Sequence, residues 1–323
     1  MIRRAAFGFG LALALASSIA SAQQYPSKPI RIIVPFPAGG LLDGLARGVG
    51  QKMSEGLGQP VVVEAKPGAN TMIGADAVAK SPPDGYTVLF ATDATVSINP
   101  LMYSKMAYDA KKDLVPVSIV AETVECLLVA GNVKANTVAD LVALAKAQPG
   151  RLNYASFGPG SNAHLAAEQF KLATGTDLVH VPFKGVAEAM QALVAGDVQV
   201  LFTAQGAALP HIKTGKVKAL AVMSAERQQT LPDTPTIVEA GYPSLQSAVW
   251  FGFMVPAGTP PEVIDRLARE AQKAVATPEA RDKFIMGIGL KPVGSTPAQF
   301  AKVLAADQDK YGKAVKAANL KLD

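Results

Sequence analysis

Short runs rich in Ile and Val alternate with longer runs in which apolar residues recur every three or four positions, from residue 30 onward. Strands separated by helices of this length are typical of parallel βαβ units in α/β proteins. The spacing predicts strands at 30–34, 61–64, 87–91, 127–130, 152–156, 179–182, 198–202, 217–223 and 249–255. It predicts helices at 43–57, 69–80, 138–147 (with Thr137 as N-cap), 162–174, 186–194, 207–213, 260–276 and 297–318, and an irregular segment at 228–242.

Two segments, 34–43 and 156–164, share one arrangement: a strand, a glycine-containing turn and the start of a helix. The first N–H groups of a helix have no intrahelical partner and its dipole is positive there, so each turn is a candidate anion site. Doubly wound sheets bind ligands beyond the carboxyl ends of their strands. If two lobes face each other, both turns point into one cleft. The alternative for either turn alone is an ordinary strand-to-helix connection.

Composition limits the class of protein. The chain has 323 residues, 49% of them hydrophobic and 18% charged, which predicts a folded protein of about two domains. The net charge of +5 falls to +3 without Arg3 and Arg4, and no Lys/Arg cluster is interleaved with aromatic residues, so a nucleic-acid partner is not expected. The single cysteine, Cys126, excludes an internal disulfide and lies in an apolar run, as a buried cysteine would.

The first 22 residues have the pattern of a secretory signal peptide. A positive start is followed by an apolar run from Ala5 to Ala16 and by Ala20-Ser21-Ala22, a small-residue cleavage pattern that predicts cleavage after Ala22. The alternative, a membrane anchor, needs about 20 apolar residues. The run is shorter than that, so export to the periplasm is the favoured prediction.

Motifs for catalysis are missing from the sequence. It contains no Gly-x-Ser-x-Gly nucleophile turn and no complete phosphate-binding loop. His164, His180 and His211 lack metal-ligand spacing, so neither a metal nor a cofactor is expected, and the chain is not predicted to be an enzyme. Asp43 is either a helix cap or an acid-base group, and His164 is either structural or a ligand contact.

An ordered set of short motifs resembles the periplasmic receptors of tripartite tricarboxylate transporters, the Bug or TctC family. Val-Pro-Phe-Pro-Ala-Gly-Gly in the first turn and Gly-x-Gly-Ser-x-x-His in the second carry much of the resemblance. Further matches stand at 25–31, 83–87, 98–103, 146–156, 180–185, 209–212, 231–236 and 256–260, so the resemblance covers essentially the whole chain after the signal peptide.

The resemblance implies a two-lobed periplasmic-binding-protein fold of type II, in which each lobe is a mostly parallel sheet flanked by helices. It implies that residues 23–124 and 247–323 form lobe 1 and residues 125–246 form lobe 2, with hinges near 122–126 and 244–249. The function implied is capture of a small organic carboxylate, such as an aliphatic or aromatic dicarboxylate, and its delivery by a monomeric receptor to a membrane permease. An exported sensor and an exported hydrolase are the alternatives.

The resemblance also implies a set of ligand-binding residues on the turns and on further loops that face the cleft. Phe183 and Trp250 would floor or cover the site. The set consists of Phe36, Pro37, Ala38, Gly39, Gly40, Leu42, Asp43, Thr92, Thr95, Ser156, Gly158, Gly160, Ser161, His164, Lys184, Thr203, Ala204 and Gln205.

Departures from the family pattern suggest what the ligand looks like. Relatives commonly have a small or hydroxyl residue where this chain has Leu42, preceded here by Leu41, which favours a ligand with an apolar body. Relatives often have Asp-Asn where this chain has Thr203-Ala204, and the loss of that carboxylate argues against an amine-bearing ligand.

Overall fold

The computed structural model describes residues 25–317 and residue 320, so the predicted signal peptide lies outside the described residues. The strands are β1 (Ile30–Val34), β2 (Val61–Ala65), β3 (Thr87–Thr92), β4 (Leu114–Ala130), β5 (Leu152–Ser156), β6 (Leu178–Pro182), β7 (Val200–Ala204), β8 (Val217–Val222), β9 (Ala248–Pro256) and β10 (Lys291–Pro292). The α-helices are α1 (Leu41–Leu57), α2 (Met72–Ala79), α3 (Asn99–Met102), α4 (Val138–Ala147), α5 (Asn162–Thr174), α6 (Val186–Ala195), α7 (Gln205–Lys213), α8 (Pro261–Ala276) and α9 (Pro297–Ala317).

The strands follow the order β2-β1-β3-β9-β4-β7-β5-β6, with β8 and β10 also paired to β4. Residues 114–124 of β4 pair with β9, whereas residues 125–130 pair with β7 and β8. We call β1, β2, β3, β9, β10 and residues 114–124 the first half-sheet. The second half-sheet comprises residues 125–130 and β5 to β8. The predicted lobe boundaries and hinges remain predictions.

The α/β class is confirmed, but the sheet is mixed rather than mostly parallel. Strand β1 pairs in parallel with β2 and β3, and β5 pairs in parallel with β6 and β7, as predicted for βαβ units. The antiparallel pairs all involve β4 or β9, which lie side by side at the centre of the order. Strand β4 runs through both half-sheets, whereas β9 lies in the first half-sheet beside residues 114–124 of β4.

Local sequence signals account for several helix ends. Thr137 caps α4 as predicted, because its hydroxyl accepts the N–H of Asp140 while the Asp140 carboxylate accepts the N–H of Thr137. Ser161 caps α5 in the same way, accepting the N–H of His164. Gly58 and Gly175, which end α1 and α5, adopt the left-handed conformation that closes a helix.

Two predicted element boundaries are wrong by three residues or more. Helix α2 begins at Met72 rather than at 69, because Ala69, Asn70 and Thr71 have φ angles of 45°, 48° and 76°. Asn99 holds this left-handed turn, since its Nδ2 donates to the Asn70 carbonyl at 2.7 Å and its Oδ1 accepts from Asn70 Nδ2 at 2.7 Å. Strand β4 begins at 114 rather than at 127. The sequence pattern does not reveal its first part, because Pro116 and the acidic residues of this stretch interrupt the apolar run.

Each half-sheet has its own apolar core, formed by strands and the helices that cover them. A smaller cluster joins the halves, in which Leu165 of α5 packs with Ile98, Met102, Tyr311 and Val315. None of the helices within the described part of the chain is long and apolar enough to cross a membrane.

Candidate ligand-binding cleft

A cavity of about 530 Å³ lies where the two half-sheets meet. Its floor is formed by the end of β3 and by facing residues of β9 and β4: Thr92 pairs with Phe251, and Thr123 pairs with Val249. Glu125, two residues further along β4, continues the same face. The volume suits a small organic molecule.

Five helices begin at this cavity. The residues that line it at these helix starts are Leu41 and Leu42 (α1), Asn70 and Thr71 (α2), Ser161 and Asn162 (α5), Gly185 and Val186 (α6), and Gly206 and Ala207 (α7). Helices α1 and α2 follow strands of the first half-sheet, and the other three follow strands of the second. The positive ends of their dipoles therefore converge from both sides, and Lys184 adds a cationic side chain at the exposed rim. This arrangement attracts an anion.

The remaining lining is largely apolar. Phe36, Phe157 and Phe251 supply aromatic rings, and Ile288 and Leu290 approach from the segment before β10. Leu41 is 50% exposed at the rim. An apolar cavity with charge attraction at its entrance suits an organic anion better than an inorganic one.

Asp43 secures the first turn instead of facing the cavity. Its Oδ2 accepts the Gly39 N–H at 3.0 Å, and Arg47 donates to its two oxygens at 2.8 and 3.0 Å. The hydrogen bond from Arg47 holds the pKa of the Asp43 carboxyl below its usual value. The Gly40 N–H is directed to the Pro37 carbonyl at 3.4 Å, so the turn is closed by its own groups.

The second turn is braced in the same manner. The Ser161 hydroxyl accepts the N–H groups of Phe157 and His164 at 3.3 and 3.4 Å, and His164 Nδ1 accepts the N–H of Gly160 at 3.0 Å. The first backbone hydrogen bond of α5 runs from Leu165 to Ser161, which leaves the N–H groups of its first residues without an intrahelical acceptor.

His164 belongs to a stack of rings under the second turn. Its imidazole lies 4.1 Å from that of His180, which in turn stacks on Tyr154 at 5.0 Å. His180 Nε2 lies 2.6 Å from Ser156 Oγ. Burial lowers the pKa of His164 to about 4 and also lowers the pKa of His180, so both rings are neutral at pH 7. Ser156 is fully buried, so this Ser–His pair supports the turn and is closed to a substrate.

We expect acid to destabilise the fold through this stack. A histidine in the unfolded chain has a pKa of about 6.5. Below that pH the unfolded state therefore binds a proton that His164 in the folded state does not bind. The stabilisation that comes from neutral His164 is therefore complete above about pH 6.5 and is lost as the pH falls towards 4. Between pH 7 and pH 5 the His164 contribution is about 2 kcal/mol. Urea unfolding at the two pH values measures it.

The control for this pH effect is a substitution at His164. His164→Gln keeps an acceptor for the Gly160 N–H and should reduce the loss of stability between pH 7 and pH 5, of which the part due to His180 remains. An equal loss in the variant and in the unmodified protein would contradict the assignment.

The structure brings only part of the predicted site set to the cavity wall. The residues that line it are Phe36, Leu42, Thr92, Ser161, Lys184, Thr203 and Ala204. The others lie in the turns or behind them: Pro37, Ala38, Gly39, Gly40, Asp43, Thr95, Ser156, Gly158, Gly160, His164 and Gln205. Trp250 is directed to the opposite face of the sheet, where its Nε1 donates to Asp307 at 2.7 Å. The roles of these residues in binding remain predictions.

Several lining residues escaped the sequence analysis. Asn70 and Thr71 reach the cavity because of the left-handed turn before α2, and Asn162 lies directly after Ser161 of the second turn. Glu125 matters most. It faces Ala204 across the β4–β7 ladder, so an acid does line the cavity beside the position where an aspartate was noted as missing. The loss of that aspartate therefore does not by itself exclude an amine-bearing ligand.

Asp93 connects the two halves at one end of the cavity. Its Oδ2 accepts from Asn162 Nδ2 at 2.6 Å and from the Tyr311 hydroxyl at 2.7 Å, and its Oδ1 accepts the Ala94 N–H at 2.8 Å. Complete burial raises the pKa of Asp93 to about 7. These bonds join the loop after β3, the first turn of α5 and the last helix.

The halves also touch through backbone. A Cβ atom built on Gly206 would lie 2.8 Å from the carbonyl oxygen of Ile288, and one built on Gly289 would lie 2.9 Å from the Cα of Gly206. Only glycine permits so close an approach between the start of α7 and the segment before β10.

Across residues 25–317 and 320, no group of three or more His, Cys, Asp or Glu side chains is arranged to hold a metal ion.

Comparison with known proteins decides the family. A family model described as the tripartite tricarboxylate transporter family receptor, TctC, matches residues 45–320. The chain belongs to the TctC family. Among TctC relatives, the protein BugT of Bordetella pertussis is 36% identical over 319 residues, with 98% of each chain covered. A protein of Pseudomonas sp. strain P51 is 36% identical over 310 residues, covering 95% of this chain and 92% of the relative.

Solved structures agree with the TctC assignment. A periplasmic transporter is 40% identical with a TM-score of 0.81, covering 93% of this chain and all of its own (100%). An R. palustris protein solved with adipate is 33% identical, with a TM-score of 0.81 and coverage of 92% and 99%. MatC from Rhodopseudomonas palustris with bound malate is 29% identical, with a TM-score of 0.78 and coverage of 90% and 100%. The predicted family and periplasmic-binding-protein fold are confirmed, and the family is one of receptors.

Proposed function

We propose that this protein is a periplasmic receptor that captures a small organic carboxylate with an apolar body and delivers it to a tripartite tricarboxylate-type permease. The observation that carries the proposal is the convergence of five helix N-termini, from both half-sheets, on one apolar cavity. The neighbours solved with adipate and malate support a carboxylate ligand. Export by the predicted signal peptide, action as a monomer and the absence of catalysis belong to the same proposal.

Closure follows from the same geometry. A carboxylate that accepts hydrogen bonds from α1 and α5 together binds better when the halves approach each other, so it favours the closed arrangement. Each such charge-assisted bond contributes about 1.5–3 kcal/mol. The predicted lobes, 23–124 with 247–323 and 125–246, would then move about 122–126 and 244–249.

A thermal-shift screen of aliphatic and aromatic mono- and dicarboxylates tests the proposal. A ligand present at 100 times its Kd, and bound by the folded state alone, stabilises by about 2.7 kcal/mol, which raises the Tm by about 4 °C for a chain of this size. If no carboxylate shifts the Tm, the proposal is wrong. Mass spectrometry of bound acids then separates a receptor, which returns them unchanged, from a hydrolase. Loss of uptake after permease deletion separates transport from signalling.

Ser161→Ala should weaken binding of the best carboxylate in that screen about tenfold. The substitution removes a hydroxyl from the cavity wall and a cap from α5, so it should also lower the free energy of unfolding by about 1 kcal/mol. Calorimetric titration gives the affinity and urea unfolding gives the stability. Thr137→Ala is the control, because it removes an equivalent cap from α4, which does not border the cavity. Unchanged affinity in Ser161→Ala would exclude Ser161 from the site.

A further inference from the structure

One acidic side chain lies on the floor of a cavity that otherwise attracts anions. Glu125 lines the cavity and is only 2% exposed. Its Oε2 accepts the Ser247 hydroxyl at 2.5 Å. Its Oε1 accepts no hydrogen bond from the part of the chain that the structure describes, and no lysine or arginine there forms an ion pair with it.

The cavity therefore has two chemically different ends. At the rim stand Lys184, which is exposed, and the half-exposed Leu41 at the positive end of α1. At the floor stands a buried carboxyl group with one oxygen unpaired. Burial raises the pKa of Glu125 against the opposing effects of the Ser247 hydrogen bond and the charge of Lys310, and this favours the protonated form. Protonated, the group offers both a hydrogen-bond donor and an acceptor.

We infer that Glu125 selects ligands with one carboxylate at the rim and an uncharged hydrogen-bonding group, such as a hydroxyl, at the far end, and rejects a second carboxylate there. The inference rests on the proposed function. Two carboxyl groups that share a buried site cannot both ionise, so the pair formed by Glu125 and a second ligand carboxylate must hold one proton, which becomes harder as the pH rises. A hydroxyl needs no proton and satisfies the unpaired oxygen.

Matched acid pairs test the inference by calorimetric titration at pH 8. One pair is 6-hydroxyhexanoate and adipate, and the other is 4-hydroxybenzoate and terephthalate. In the unmodified protein the hydroxy acid of whichever pair binds should be at least about tenfold tighter than its dicarboxylate. Glu125→Gln removes the need for a proton, so the ratio should fall to within about threefold.

Glu122→Gln is the matched control, since Glu122 lies on the same strand, faces the opposite surface and pairs with Lys291 at 2.9 Å. It should keep the ratio of the unmodified protein. That unmodified ratio is a test on its own if Glu125→Gln does not fold. Each of three results would overturn the inference alone: a dicarboxylate that binds as tightly as its hydroxy acid, a ratio that Glu125→Gln leaves unchanged, or tighter binding of 6-aminohexanoate than of 6-hydroxyhexanoate. If none of these acids binds while another carboxylate raises the Tm, the inference is wrong and the proposed function stands; if no carboxylate raises the Tm, both are wrong.

Discussion

Replacing Asp93 with alanine should lower the free energy of unfolding by about 3 kcal/mol. The carboxyl group is completely buried and accepts hydrogen bonds from Asn162, Tyr311 and the Ala94 amide. Alanine leaves all three donors without this acceptor, and each buried unsatisfied donor costs about 1 kcal/mol or more. The lost hydrogen bonds all lie where the loop after β3 meets α5 and α9. The two halves should therefore also separate more easily.

Urea unfolding of three variants tests this expectation. Asp93→Asn keeps an oxygen for Asn162 and Tyr311 but presents an amide to the Ala94 N–H, so its loss should be smaller than that of alanine. Tyr311→Phe removes a single donor and should cost about 1 kcal/mol. A change below about 1 kcal/mol in Asp93→Ala would show that the donors find other partners.

Gly206→Ala should weaken binding of the best carboxylate at least about tenfold, because a methyl group at this position meets the Ile288 carbonyl at 2.8 Å. The backbone of Gly206 is not left-handed, and alanine favours a helix more than glycine does, so the variant should fold. The expected defect is confined to the approach of α7 to the segment before β10. Ile288 and Leu290 of that segment line the cavity, so the added methyl group should push the segment away from α7 and open the cleft.

Calorimetric titration measures the affinity, and Gly312→Ala is the control. Gly312 lies in α9, and a Cβ atom built there meets no atom within 4 Å, so alanine should leave binding unchanged. An affinity within twofold of the unmodified protein in Gly206→Ala would mean that the close glycine contact has no part in ligand capture.

Local pattern was enough to predict most of the elements. Helix α4 with its Thr137 cap, helix α5 and strands β1 and β5 lie where the sequence places them, since their apolar spacing and end signals agree. The early part of β4 was missed because burial on both faces removes alternation and Pro116 interrupts the run. The left-handed turn at 69–71 was missed because Asn99, distant in sequence, stabilises it.

The candidate site was harder to predict than the fold. The glycine turns were found because strand, turn and helix start are adjacent in sequence. The sequence cannot show, however, that the side chains of Asp43 and His164 accept hydrogen bonds from the backbone of those turns. Glu125 carries no local signal at all. Its place on the cavity floor depends on which strands pair with β4 and in which register. The residues next to Glu125 in the sequence determine neither.

The position of β9 sets the order in which the molecule can be assembled during synthesis. β9 is the ninth strand made, yet it lies between β3 and β4. The second half-sheet comes from one continuous stretch, residues 125–222, and can form as soon as that stretch is complete. Until residue 256 has been added, β3 is an unpaired edge open to pairing with other chains. We therefore expect chains that end before β9 to aggregate through β3, although most of their strands are already present.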